Sequence, residues 1–331
     1  MDRAADVTDI LGIKYPILLA PMDFISGSRL VSAVSLAGGF GILGGGYGKR
    51  TWLTRELAAL KELLAATSAP FGIGFITWSL AKQPELLDLA LEAHPRAIML
   101  SFGDPTPFAP TIRKAGALLI CQVQSEEIAE EALRAGADVL VAQGTEAGGH
   151  GADRSTIDIV PAIVDLAAGR VPVVAAGGIA DGRGFVAAQA LGAAGVLLGT
   201  RFHASIEADS PDEAKCRIVA AKSSDTVRGL IFDISRNNVW PAPFTGRCLV
   251  NDHARRWRGR EVELIQNVRD VAAEYSAARA AGNFDIAAVV AGEAVGLIHD
   301  IPSAATIVDR MVTEAEDILR RRHNSLGVGQ A

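Results

Sequence analysis

The sequence predicts an α/β fold, a (β/α)8 TIM barrel with a C-terminal helical extension, on three observations. One unit, a short apolar run followed by a Gly-rich or polar turn and then an amphipathic stretch, recurs eight times in the first two-thirds of the 331 residues. The runs are apolar on both faces, as strands buried on both sides of a parallel sheet must be. No Gly-x-Gly-x-x-Gly follows the first run, which weighs against an open doubly wound sheet.

The eight predicted strands are 16–20, 41–43, 71–75, 97–101, 117–123, 139–142, 171–175 and 196–198. Helical patterns fall between them, among them 51–66, 84–94, 126–135, 157–168 and 182–191. Ser125 is placed to cap the helix at 126, Glu126 and Glu127 suit its positive end, and Gly136 suits its C′ position. Near Ala221 the alternation stops. The segment 222–250 is rich in turn residues, including Pro241-Ala242-Pro243, and three helical patterns follow at 262–280, 285–296 and 304–322. The expected organisation is a barrel over 1–221, then a connecting segment and helices over 222–331 packed on it. These apolar helices could cover the barrel mouth, form a homodimer interface, or both. The tail 324–331 is expected to be disordered.

Composition narrows the function. With 32 Lys+Arg against 38 Asp+Glu, a formal charge of −6 and 5% aromatics, the chain lacks the basic face of a general nucleic-acid binder. Three scattered cysteines, Cys121, Cys216 and Cys248, make neither a disulfide framework nor a zinc site, and no metal site is expected. No secretory pattern opens the chain and no membrane span is expected, so a cytoplasmic setting is the default.

Two signals mark the barrel's end. The seventh strand runs into Ala176-Gly177-Gly178-Ile179 and the eighth into Leu198-Gly199-Thr200. In barrel enzymes the loops after strands seven and eight commonly hold a phosphate. Main-chain N–H groups must approach the anion closely, and a Cβ would obstruct them. One Gly-Gly pair is usually only a tight turn, but two such turns at neighbouring strand ends make a cradle from Gly177, Gly178, Gly199 and Thr200.

The sixth strand delivers Gln143-Gly144-Thr145-Glu146-Ala147-Gly148-Gly149-His150 to the same rim. A lone histidine in a loop is usually a surface residue. Glycines around this one imply close approach to something, and His150 suits a general base. Glu146 reads as a solvent-facing acid, and His203 as a second candidate near the rim. Gln122 and Gln124 could bond the edge of a flat ligand, with at most one of them expected to point inward. Met22 and Phe75 fit ordinary core packing equally well.

The segments at 16–22, 44–48 (Gly-Gly-Gly-Tyr-Gly), 143–150, 175–179, 190–200 and 291–298 together resemble the nitronate monooxygenase family, formerly called 2-nitropropane dioxygenases. These are FMN-dependent TIM barrels related to flavin-type enoyl-acyl-carrier-protein reductases and to certain NADH:quinone reductases. The resemblance implies that Gly177, Gly178, Gly199 and Thr200 bind the FMN phosphate. It implies that Pro21, Met22 and Gln143 contact the ring or ribityl chain, with Gln122, Gly148 and Gly149 completing the cofactor contacts. His150 would be the base or would neutralise an anionic substrate. The implied reaction oxidises an alkyl nitronate with O2 to a carbonyl compound and nitrite. The alternatives are an NAD(P)H-dependent FMN reductase of a quinone or enoyl thioester, and a flavin- or ligand-binding barrel without turnover. Two positions depart from the family pattern: Leu19 stands where Gln is frequent, and Gly74 where Asn is.

Overall fold

A computed structural model describes residues 6–325 of the chain. Eight parallel strands form its centre: β1 (Ile17–Leu19), β2 (Gly41–Gly46), β3 (Phe71–Ile76), β4 (Ala97–Ser101), β5 (Leu118–Val123), β6 (Val139–Gln143), β8 (Val173–Ala176) and β9 (Gly195–Leu198). Their order is β1-β9-β8-β6-β5-β4-β3-β2, and a parallel bridge from Leu18 to Phe40 brings the two ends together into a nearly closed barrel. Each of the eight predicted strands is present, within a few residues of its expected bounds.

Successive strand residues point to opposite faces, so each run feeds two cores. Leu18, Phe40, Ile42, Met99, Ile120, Val141, Val174 and Leu197 fill the barrel. Ile17, Leu19, Leu43, Ile73, Ile98 and Leu140 pack outward against the helices. Burial of each such side chain contributes about 1.5–3 kcal/mol, so an unbroken apolar run is what a barrel strand requires. Local signals also hold. Ser125 Oγ accepts the Ile128 N–H at 3.3 Å, and Gly136 ends that helix in the left-handed region at φ 86°.

The chain leaves the barrel after a short helix, Thr200–His203, and builds a second layer before returning. Here three expectations are corrected. The segment 222–250, expected to be a connection, contains β10 (Thr226–Gly229) and β11 (Thr245–Leu249). These pair antiparallel with each other and with β7 (Gly149–Gly151), so that Gly246 lies opposite His150. The helix expected over 262–280 is divided at Asn267 into Glu261–Gln266 and Val268–Ala280. The segment 285–296 is no α-helix. It opens with a turn at 285–287, bridges Cys248 through Val290, and ends in a 3-10 turn, Glu293–Leu297. The cause is steric: a Cβ on Gly148 would lie 2.6 Å from the Ala291 carbonyl carbon. The two backbones cross too closely to admit a helix's projecting side chains.

The helix Ala304–Ser325 packs against Ser28–Leu36 and Gly182–Ala190 and so completes the ring of barrel helices. Glu314 accepts the Gly182 N–H at 2.9 Å, tying it to its neighbour. This helix reaches Ser325, into the tail expected to be disordered; the rest of that tail, and the N-terminal residues 1–5, lie outside the described residues. Among the described residues no helix is long and apolar enough to cross a membrane.

Candidate active site at the barrel mouth

A cavity of about 430 Å³ opens at the C-terminal ends of the strands, within the range of ligand pockets. It brings together every predicted site residue. Pro21, Met22, Gln122, Gln143, Gly148 and Gly149 line it, as do His150, Gly177, Gly178, Gly199 and Thr200.

At one end lie the two glycine turns. Gly177 and Gly178 have φ of 106° and 73°, a region that favours glycine. A Cβ on Gly177 would sit 2.9 Å from the Gly144 carbonyl oxygen. Among the described residues, the backbone N–H groups of Gly177, Gly178, Gly199 and Thr200 donate to no protein acceptor. Thr200 Oγ1 accepts the Gly292 N–H at 2.9 Å, which leaves its own proton to give. Four main-chain donors and one hydroxyl without protein acceptors are the chemistry of an anion cradle.

In the middle lie amides. Gln122 Nε2 donates to Gln143 Oε1 at 3.0 Å and Gln124 Nε2 donates to the same oxygen at 2.8 Å. Gln143 Nε2 donates to the His150 carbonyl at 3.0 Å. Of the two, Gln122 lines the cavity and Gln124 does not, although residues two apart share a strand face and both side chains converge on Gln143. Gln124 Oε1 is buried without a partner.

The two family departures separate here. Leu19 is fully buried on the helix side of β1, away from the cavity. Gly74 lines the cavity, and a Cβ there would meet the Pro21 ring at 2.4 Å. Pro21 occupies the space that a larger residue at 74 would need.

His150 stands in β7, held by residues of the second layer. Its Nε2 lies 3.0 and 3.1 Å from the two Asp233 oxygens. Asp233 is also paired with Arg236. The Trp240 indole stacks on the imidazole with centroids 3.4 Å apart and planes 5° apart, and Trp240 Nε1 donates to the Tyr47 hydroxyl at 2.9 Å. Burial pushes the His150 pKa below its ordinary 6.5 against the opposing pull of Asp233. A neutral imidazole that gives its Nε2–H to Asp233 has Nδ1 as its acceptor. Arg228 donates to the carbonyls of Thr145 and Ala147 at 2.8 and 3.0 Å, and Arg247 to that of Thr145 at 3.0 Å. The second layer thus grips the loop that carries the histidine.

Two other expectations change. Glu146 is no solvent-facing acid: its carboxylate accepts the Thr156 N–H at 2.9 Å and the Thr156 hydroxyl at 2.8 Å, capping the helix Thr156–Ala167. His203 lines the cavity but both its nitrogens are engaged, Nδ1 with the Val290 carbonyl at 3.2 Å and Nε2 with Ser210 Oγ at 2.9 Å. Complete burial lowers its pKa to about 4, so it is a neutral tie between loops. Sequence reasoning missed Asp23, Asp233, Arg236 and Trp240, all of which line the cavity. The spacing Asp233-x-x-Arg236 within a turn-rich segment was the available signal for two of them.

The fold and this site define a (β/α)8-barrel enzyme whose ligand cavity lies between the strand ends and a C-terminal second layer. The nitronate monooxygenase family model matches residues 5–86 and 79–314, and the chain belongs to that family of oxidoreductases. Nitronate monooxygenase npaC of Metarhizium robertsii is 36% identical, over 92% of each chain. Nitronate monooxygenase of Neurospora crassa is 32% identical, over 93% of this chain and 91% of that one. The (3aS,4S,5R,7aS)-5-hydroxy-7a-methyl-1-oxo-octahydro-1H-indene-4-carboxyl-CoA dehydrogenase of Mycobacterium tuberculosis is 28% identical over 93% and 95%. Among solved structures, FabK from Thermotoga maritima superposes with a TM-score of 0.84 at 31% identity, covering 96% of this chain and 98% of that one. Nitroalkane oxidase from Streptomyces ansochromogenes gives 0.77 at 25% identity, covering 94% and 98%.

Proposed function

We propose that the chain is an FMN-dependent oxidoreductase that oxidises alkyl nitronates, or the parent nitroalkanes, with O2 to a carbonyl compound and nitrite. One observation carries this reading: two glycine turns with unengaged N–H groups, a glutamine cluster and a neutral histidine face a single cavity. The residues present fit a mononucleotide. Gly177, Gly178, Gly199 and Thr200 would hold its phosphate, Gln122 and Gln143 the edge of its ring, and Pro21, Met22, Gly148 and Gly149 its flanks. FMN, when bound, supplies the electron transfer and the reaction with oxygen.

The protein's own part is to bind, orient and move a proton. Asp233 holds the Nε2–H of His150 and so leaves Nδ1 as base. Burial keeps that base neutral near pH 7. A nitroalkane would lose its α-proton to His150, and a nitronate, already deprotonated, would bind beside it. Trp240, itself backed edge-on by Phe102, covers one face of the imidazole.

The likeness to FabK favours a second reading, reduction of an enoyl thioester or quinone by NAD(P)H. One pair of assays separates the two. Oxygen uptake with stoichiometric nitrite from 2-nitropropane or its nitronate supports the first. Fast anaerobic bleaching by NADH or NADPH, without nitrite formation in air, supports the second.

A further inference from the structure

Asp23 follows Pro21-Met22 in the loop after β1 and lines the same cavity as His150. It makes no ion pair among the described residues. The chain makes room for it at a specific place. β2 shifts register between Gly44 and Gly46, and Gly46 takes a left-handed φ of 49°. A Cβ on Gly46 would fall 1.8 Å from Asp23 Oδ1. The carboxyl therefore rests on bare backbone at the cavity wall.

Charged and titratable groups reach it from three elements. Tyr47 and Lys49 come from the segment after β2. Arg236 comes from the end of the helix Ile231–Ser235 and Arg279 from the helix Val268–Ala280, while Asp233 and Tyr275 line the same cavity. Lys49, Arg236 and Arg279 supply positive surroundings that pull the Asp23 pKa down. Glu146, His150, His203, Asp209 and Asp233 line the same cavity; Glu146 is engaged by Thr156, His203 by Val290 and Ser210, and Asp233 by His150 and Arg236.

We propose that Asp23 decides which ionisation state of the substrate the cavity accepts: protonated, it donates a hydrogen bond to an anionic oxygen; ionised, it repels that anion and leaves the neutral carbon acid as the preferred substrate. The idea rests on the nitronate and nitroalkane reading above, since those two species differ by one proton. Burial lifts the Asp23 pKa to about 6, against the pull of Arg279, Lys49, the Tyr47 N–H and Arg236. Both forms of the carboxyl are thus populated close to neutrality. By linkage, whatever factor protonation adds to anion affinity, anion binding must add to proton affinity.

The test is calorimetric titration of the flavin-loaded enzyme with propionate, an unreactive anion, at several pH values between 5 and 8. Wild type should lose about tenfold in affinity over this range, the size expected for one added like charge in a half-buried site. Asp23→Asn keeps a neutral donor and cannot ionise, so its affinity should change with pH less than that of wild type, by what the other groups of the cavity contribute. A second measurement needs no variant to fold well. The infrared band of a protonated carboxylic acid should titrate near pH 6 in wild type and move to higher pH with propionate. Equal pH dependence in the two proteins, no propionate binding to either, or a carboxyl band unmoved by propionate overturns the proposal. A preparation with no flavin would fail the functional reading by its colour, while the infrared titration of Asp23 would still be readable.

Discussion

The barrel and the second layer above it contribute to one cavity by opposite means. The barrel offers mostly backbone and neutral amides: Gly177, Gly178, Gly199, Gln122 and Gln143. The second layer offers charge and aromatic surface: Asp233, Arg236, Trp240 and Arg279. An anion and a flat ring can be held by the first set at any pH. Holding the proton position of His150 falls to the second layer, whereas Asp23, proposed to select the substrate's charge, comes from the barrel loop after β1. His150 is where the two meet, since it belongs to the barrel's β6 loop but is oriented by Asp233, 83 residues later.

Variants should separate these contributions. The largest effect is expected for His150→Ala, which should lower kcat/KM roughly 10²- to 10⁴-fold while the protein keeps its cofactor. Steady-state kinetics with flavin content measured in parallel checks this; loss of flavin along with rate would mean that His150 is part of the cradle instead. Gly178→Val should do the reverse. A left-handed φ and a projecting side chain at the cradle should weaken FMN binding roughly a hundredfold, about 2.8 kcal/mol, read by fluorescence titration of the stripped protein.

A smaller effect is expected for Asp233→Asn, roughly tenfold in kcat/KM, with fold and flavin retained. The sign of its pH effect is definite. Asp233 raises the His150 pKa, so its loss should move the acid limb of the rate profile, already below 6.5, to still lower pH. An unmoved limb would show that the Asp233 charge does not reach the titrating group. The smallest expected effect is on stability. His203 has a folded pKa of about 4 against an ordinary 6.5, so its contribution is complete above pH 6.5 and is lost as pH falls toward 4. In His203→Gln the fall in Tm over that window should be smaller than in wild type by a few degrees. Asp23 acts with the opposite sign but is common to both proteins and cancels in the comparison.

The same division explains what was legible in the sequence. Barrel strands are buried on both faces, so Phe40-Gly41-Ile42-Leu43 or Val139-Leu140-Val141-Ala142 announce themselves. Glycines at strand ends mark close approach without any knowledge of the partner, and Gly177, Gly178 and Gly199 are legible that way. The second layer is built on pairings distant in sequence. β11 is recognisable only once it lies on Gly149–Gly151, and its Thr245, Gly246 and Arg247 look like a turn in isolation. The segment through Val290 and Ala291 has the apolar spacing of a short helix, but its backbone is taken up by the bridge to Cys248 and the close crossing with Gly148. Asp233 and Trp240 gain their meaning from His150, a contact no local pattern encodes.

The central claim, that glycine turns of the barrel grip a flavin mononucleotide beside an Asp-held histidine, is tested most directly by the purified protein's visible spectrum and by the molecule released on denaturation. The account predicts a yellow protein that releases FMN in a ratio near one per chain. A colourless protein that takes up no added FMN would contradict it.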